Sequence, residues 1–203
     1  IPALLGLLCL FGVKNKPKQF IFFTLYFFYV SIGEAIGMFN DWYFGEKSNI
    51  LFYDTFFIPS LYLLQIAFFH QIIPDKAIRK IIVVLGILFL TAIAMEKTLL
   101  KASQIEFSYF SYCIGAVIII LCCLFYFYML IRSPAIIHFK TTPLFWICSG
   151  ALFFQLFTFP FWALFDVWRV YTKIGNLYYV FSIVCNYIAY LFYTIGILCW
   201  KKR

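Results

Sequence analysis

Residues 108–131 read SYFSYCIGAVIIILCCLFYFYMLI, 24 positions without a single charge. A helix needs about 20 apolar residues to cross a bilayer core. The run is continuous rather than alternating, which favours a helix over a strand of a β-barrel. In lipid a helix also satisfies all of its own backbone polar groups. This stretch is therefore read as a membrane span.

Similar runs lie on both sides of it, at about 1–13, 19–39, 50–71, 80–96, 144–166 and 175–199. The first is shorter than a full crossing. Together they predict an all-α, polytopic seven-transmembrane-helix bundle forming a single domain over 1–203. The composition agrees: 65% of the 203 residues are hydrophobic, 12% are charged, and the mean hydropathy is +0.96. Soluble domains carry roughly 45–50% apolar and about 25% charged residues. Soluble enzyme folds, nucleic-acid modules and disordered regulators are thereby excluded. The chain begins at Ile1 inside an apolar run, as expected of a piece of a longer protein. No basic segment precedes that run, so it does not read as a signal peptide.

The net charge is +8. Because the basic residues punctuate apolar runs, they are read as topology signals and not as a nucleic-acid surface. Eleven of the 16 fall on one side: Lys14, Lys16, Lys18, Lys76, Arg79, Lys80, Arg132, Lys140, Lys201, Lys202 and Arg203. The other side holds Lys47, Lys97, Lys101, Arg169 and Lys173, offset by Asp41, Glu46, Glu96, Glu106 and Asp166. The positive-inside rule then predicts a cytoplasmic C-terminus and an external N-terminus. Seven cysteines are scattered through the apolar runs without a CxxC pair, so they read as small buried hydrophobes.

Pro17 and Pro143 each open a span, Trp42 and Trp168 follow 25 positions later, and Asn49 and Asn176 precede the next span. This spacing hints at two parallel three-span repeats joined by one linking span, an arrangement found in small transporters.

Ionisable residues inside a span are costly and are read first as functional. Glu34 lies near the outer end of the second run and Asp54 near the outer end of the third. Antiparallel neighbours would bring these carboxyls to similar depth, where they are expected to share a proton or to bind a cation, an amine or a polyhydroxyl ligand. Glu34 sits within Gly33-Glu-Ala-Ile-Gly37, whose GxxxG spacing predicts close packing and a protein-facing side chain. Gln65, Gln155 and Asn186 lie deeper and are candidates for interhelical hydrogen bonding or for a ligand site. Pro59 and Pro160 can bend their helices, and Pro160 is a candidate hinge. The ligand-binding candidates are thus Glu34, Asp54, Gln155 and Asn186. No HExxH, GxSxG or phosphate loop occurs, and no lysine stands inside a span to form a retinal Schiff base. No catalytic residue, metal ligand set or cofactor is predicted.

Two segments carry a resemblance. Pro143-Leu-Phe-Trp-Ile-Cys-Ser-Gly150 opens the sixth run. Asn186-Tyr-Ile-Ala-Tyr190 and Tyr193-Thr-Ile-Gly196-Ile-Leu-Cys-Trp200 lie in the seventh. They resemble uncharacterised bacterial seven-helix membrane proteins, similar to the membrane input regions of sensor histidine kinases. The resemblance covers 143–203 best. It implies a bacterial inner-membrane sensory bundle whose C-terminus delivers a helix to a cytoplasmic signalling domain or partner protein. The 203 residues hold no kinase catalytic domain, in which respect the chain departs from a full sensor kinase. The expected function is a signal-relay module that binds a ligand from the extracytoplasmic side. A small solute transporter built on the repeat, or an accessory membrane subunit, are the alternatives.

Overall fold

The computed structural model describes residues 17–100, 109–164 and 172–201. Among these residues there are only helices. The order is α1 (Lys18–Phe44), α2 (Glu46–Phe52), a π-helical turn (Tyr53–Phe57) and α3 (Ile58–Ile72). There follow α4 (Lys76–Met95) with a second π-helical turn (Glu96–Leu100), α5 (Tyr109–Ile131), a 3-10 segment (Pro134–Thr141), α6 (Pro143–Ala163) and α7 (Thr172–Lys201).

Six stretches are long and apolar enough to cross a membrane: Lys18–Phe44, Asn49–Ile72, Lys76–Thr98, Tyr109–Ile131, Pro143–Ala163 and Val180–Trp200. They coincide with six of the expected runs. The run at 1–13, expected as a further span, lies outside the described residues. In its described part the chain is an all-helical integral membrane protein with six such spans.

The ends of the helices follow local chemistry. Pro17 and Thr142 stand in extended conformation before α1 and α6, and Pro143 occupies the first position of α6, where its missing N–H costs nothing. Asp75 caps α4: its carboxylate accepts from the backbone N–H of Ala77 at 2.7 Å and of Ile78 at 3.0 Å. Gly45, at φ 80° and ψ 173°, takes a positive-φ conformation open to glycine and ends α1. Glu96, expected in an external loop, is instead 3% exposed. Its carboxylate accepts from the Ser111 backbone N–H at 2.8 Å and from the Ser111 hydroxyl, and so caps the start of α5. Helix N-termini favour such an anion.

An even number of crossings returns the chain to its starting side. The Phe20 and Trp200 rings, 5.2 Å apart, hold the beginning of α1 against the end of α7. This is termed the Lys18 end, and the opposite one the Gly45 end. α5 runs through the core: Ala116, Ile119, Cys122 and Cys123 are fully buried. Of the described cysteines, Cys122, Cys123, Cys148 and Cys185 are buried and Cys113 and Cys199 half-buried, all as free thiols.

Glycine sets the closest approaches. A Cβ on Gly33 would overlap the Phe57 ring, and one on Gly37 would overlap the Tyr53 hydroxyl. The GxxxG groove of α1 thus receives two side chains of the first π-helical turn. Gly150 and Gly196 similarly bring α6 and α7 together, against Phe192, Tyr193 and Ile147.

Overpacking a filled contact costs about 1–3 kcal/mol. Gly33→Ala is expected to lower Tm by several degrees in thermal unfolding of the purified protein, because Phe57 is only 1% exposed and has nowhere to go. Gly86→Ala is the control. Its new Cβ would make an ordinary 3.5 Å contact with Ile66, so it is expected to leave Tm unchanged or slightly raised.

Candidate functional site

The site begins at Pro59. A proline within a helix cannot donate to the preceding turn and crowds the carbonyl four residues back. The turn just before it, Tyr53–Phe57, is widened to π geometry. The Ser60 hydroxyl, placed against the carbonyls of Phe56 at 2.6 Å and Phe57 at 2.8 Å, adds hydrogen bonding where the ladder is disturbed. Tyr29 on α1 meets the same Ser60 hydroxyl.

This turn separates two residues that the sequence places side by side. Tyr53 points to α1 and donates its hydroxyl to Glu34 Oε2 at 2.8 Å. Asp54 points to α4 and pairs with Lys97 Nζ at 3.2 Å. Lys97 also donates to the Thr55 hydroxyl at 2.9 Å. The expected meeting of Glu34 with Asp54 therefore does not occur. Consecutive helical residues point about 100° apart, so the Tyr53 side of the turn faces Glu34 while Asp54 faces Lys97. Lys97, read from sequence as an external loop residue, belongs to the end of the α4 span.

A cavity of about 460 Å³ opens between α1, α3, α5, α6 and α7. Small-molecule sites typically measure about 300–1,000 Å³. Glu34, Gln155 and Asn186 all line it, whereas Asp54 lies outside it beside a void of only about 10 Å³. Exposure falls along the cavity, from exposed Glu34 and half-buried Asn49 to buried Tyr62, Gln155 and Tyr193. Its mouth is thus at the Gly45 end and its floor toward the Lys18 end. The floor is a seam of rings between α1 and α7: Phe23 with Tyr193 at 5.5 Å, and Phe27 with Tyr193 at 5.2 Å and Tyr190 at 6.3 Å.

The polar groups fall into short interhelical bonds. Gln65 donates to the Tyr26 hydroxyl at 2.7 Å, joining α3 to α1. The Tyr62 hydroxyl donates to Gln155 Oε1 at 3.4 Å, joining α3 to α6, and the Tyr112 hydroxyl reaches Thr158 at 3.4 Å. Gln65 and Gln155 are the interhelical links expected of them. Asn186 is not: it donates to the Ser182 carbonyl of its own helix at 3.0 Å. Two buried oxygens, Asn49 Oδ1 and Gln65 Oε1, have no hydrogen-bond partner. Leaving a buried acceptor unmet costs about 1–3 kcal/mol.

Pro160, the candidate hinge, lies inside α6, and the helix continues through it to end three residues later at Ala163. Trp168 and Asp166 lie outside the described residues, as does Arg169. The tyrosines at 26, 53, 62, 112, 190 and 193, which supply much of the lining, gave no distinguishing signal in a chain with 15 tyrosines and 28 phenylalanines.

No protein-family model, curated protein or solved structure matches the chain.

The two acids are expected to behave differently on removal. Asp54→Ala leaves the Lys97 ammonium inside a span with a hydroxyl in place of a carboxylate. It should cost about 3 kcal/mol of stability, with much of the loss recovered in the Asp54→Ala/Lys97→Met double variant. Glu34→Gln gives up one charge-assisted bond at an exposed position and should cost about 1 kcal/mol or less. Thermal unfolding of the purified variants measures all three.

Proposed function

We propose that the chain is a membrane sensory module that binds a small ligand in the central cavity and relays its occupancy through α7 to the cytoplasm. One observation carries this reading. Ser182, Asn186, Ala189, Tyr190 and Tyr193 line the cavity at helical spacing, so one face of α7 forms a wall, and the same helix runs on to Lys201 at the Lys18 end. A ligand that contacts this wall differently in two packings of the bundle biases the position of α7, by no more than its differential affinity for the two.

The orientation is proposed from charge. The Lys18 end gathers eleven basic residues in the sequence and is the cytoplasmic side by the positive-inside rule, so the mouth faces outward. With the run at 1–13 as a further span, the bundle has seven helices and an external N-terminus. The resemblance of residues 143–203 to input regions of sensor histidine kinases points the same way. A cytoplasmic signalling domain or partner protein is the corresponding receiver, and a bacterial inner membrane is the corresponding location. Transport is the second reading. It is favoured by the spacing of Pro17 with Pro143, each of which opens a span in the structure. It requires the ring seam at the floor to part.

Two measurements test the proposal. An impermeant thiol reagent added outside intact cells should label Glu34→Cys readily and Ile21→Cys not at all; the reverse pattern refutes the orientation. Purified protein is then screened by thermal shift against amines, polyols and carboxylates. A compound that raises Tm in the native protein and not in Gln155→Leu should also change the distance between spin labels at Lys18→Cys and Lys201→Cys. A hit that leaves this distance fixed, yet accumulates inside proteoliposomes, makes the chain a transporter. No hit in any class removes the cavity as a ligand site.

A further inference from the structure

We propose that the ligand of the cavity is an organic cation: a protonated primary amine on an aromatic or branched apolar body. The proposal rests on the reading of the cavity as a ligand site and names what that site selects.

The charge balance of the lining comes first. Among the described lining residues Glu34 is the one ionisable acid, and no Lys, Arg or His accompanies it. Asp54, the nearest acid along the sequence, is already paired with Lys97. The Glu34 carboxylate accepts from the Tyr53 hydroxyl at Oε2, and among the described residues Oε1 has no partner. A carboxylate near low-dielectric walls interacts strongly with any cation that reaches it, far more than it would in water. A neutral polyol would satisfy its hydrogen bonding and leave the charge uncompensated. An anion would be repelled.

The hydrogen-bonding balance agrees. The open position at Glu34, Oε1, is an acceptor. An ammonium has three donors and no acceptor. It can engage the carboxylate while its remaining N–H groups face other oxygens, directly or through water.

The walls complete the argument. Ten of the lining residues are Phe, Tyr or Trp, among them Trp162 and Tyr190. Aromatic faces attract cations through their quadrupoles and give a flat or branched hydrocarbon body its apolar contact. A volume of about 460 Å³ is far larger than a bare inorganic ion needs. The described residues also hold no group of three His, Cys, Asp or Glu that could ligate a metal. The room is filled by the body of an organic molecule.

The test compares three probes with one skeleton, 2-phenylethylammonium, 2-phenylethanol and phenylacetate, by calorimetry at pH 7. The protein is the full chain in nanodiscs of zwitterionic phospholipid. The amine is expected to bind at least about tenfold more tightly than the alcohol, with no binding of phenylacetate. Glu34→Gln is expected to raise the Kd for the amine about 10- to 100-fold, the range for losing one or two charge-assisted hydrogen bonds. It should leave the Kd for the alcohol nearly unchanged. Tyr53→Phe keeps the carboxylate and should keep the preference for the amine. If Glu34→Gln does not fold, the three-probe comparison on the native protein decides alone. The proposal is overturned if the alcohol or phenylacetate binds as tightly as the amine, if Glu34→Gln leaves the amine Kd unchanged, or if none of the three binds. Binding of the alcohol or phenylacetate as tight as that of the amine, and lost in Gln155→Leu, would reject the cation and preserve the cavity as a ligand site, so the two failures are told apart.

Discussion

The Phe57 ring rests where the Cβ of any residue other than glycine at position 33 would have to be. That contact, with Tyr53 over Gly37 one turn away, fixes the distance between α1 and the second span at the Gly45 end. At the Lys18 end, a different set of contacts, Phe20 and Phe23 with Tyr193 and Trp200, fixes α1 against α7. The cavity is the space that these two closures leave between them. Neither closure uses backbone hydrogen bonding between helices. In lipid, where hydrocarbon competes equally for apolar side chains, close packing around small residues is what holds such a gap to a defined shape.

The polar groups then divide by depth and partner. Glu96 is consumed in capping α5, and Asp54 is consumed by Lys97. Glu34 has a single hydroxyl as its hydrogen-bond partner and lines the cavity. Three acids that look alike in the sequence thus have three different situations, and only one remains available to something outside the protein. Gln155 and Gln65 hold tyrosine hydroxyls across helix boundaries, so the cavity walls are tied to one another as well as packed.

Much of the architecture was legible from the residues. A continuous apolar run of 24 positions has no plausible state in water, and the six described spans lie where the runs lie. The Gly33–Gly37 spacing foretold a close approach, although of two aromatic side chains and not of a helix backbone. Glu34, Gln155 and Asn186 stood out as polar residues at membrane depth, and they line one cavity. The separation of Asp54 from Glu34 was not legible. It depends on which side of residues 53–57 turns to α1, and the residue types there do not mark it: Tyr53 faces Glu34 and Asp54 faces Lys97. Pro59 preceded by an aromatic-rich turn and followed by Ser60 was the available signal of the widened turn. Lys97 was misread because charge alone suggested a loop, when an acid on the neighbouring span was waiting for it. The lining tyrosines were hidden by abundance, since one aromatic among 48 carries no distinguishing mark.

The length of α1 has a consequence of its own. At 27 residues it is about 40 Å long, against roughly 30 Å of hydrocarbon, whereas the 21 residues of α6 just fit. The surplus lies at the mouth of the cavity, where Trp42, Tyr43 and Phe44 are exposed. Such rings settle among lipid headgroups. On the proposed placement in the membrane, the entrance opens within the interfacial layer, beside an aromatic collar, and not directly into bulk water. Amphipathic molecules partition into that layer, so the concentration that governs loading of the site is the one dissolved in the membrane surface.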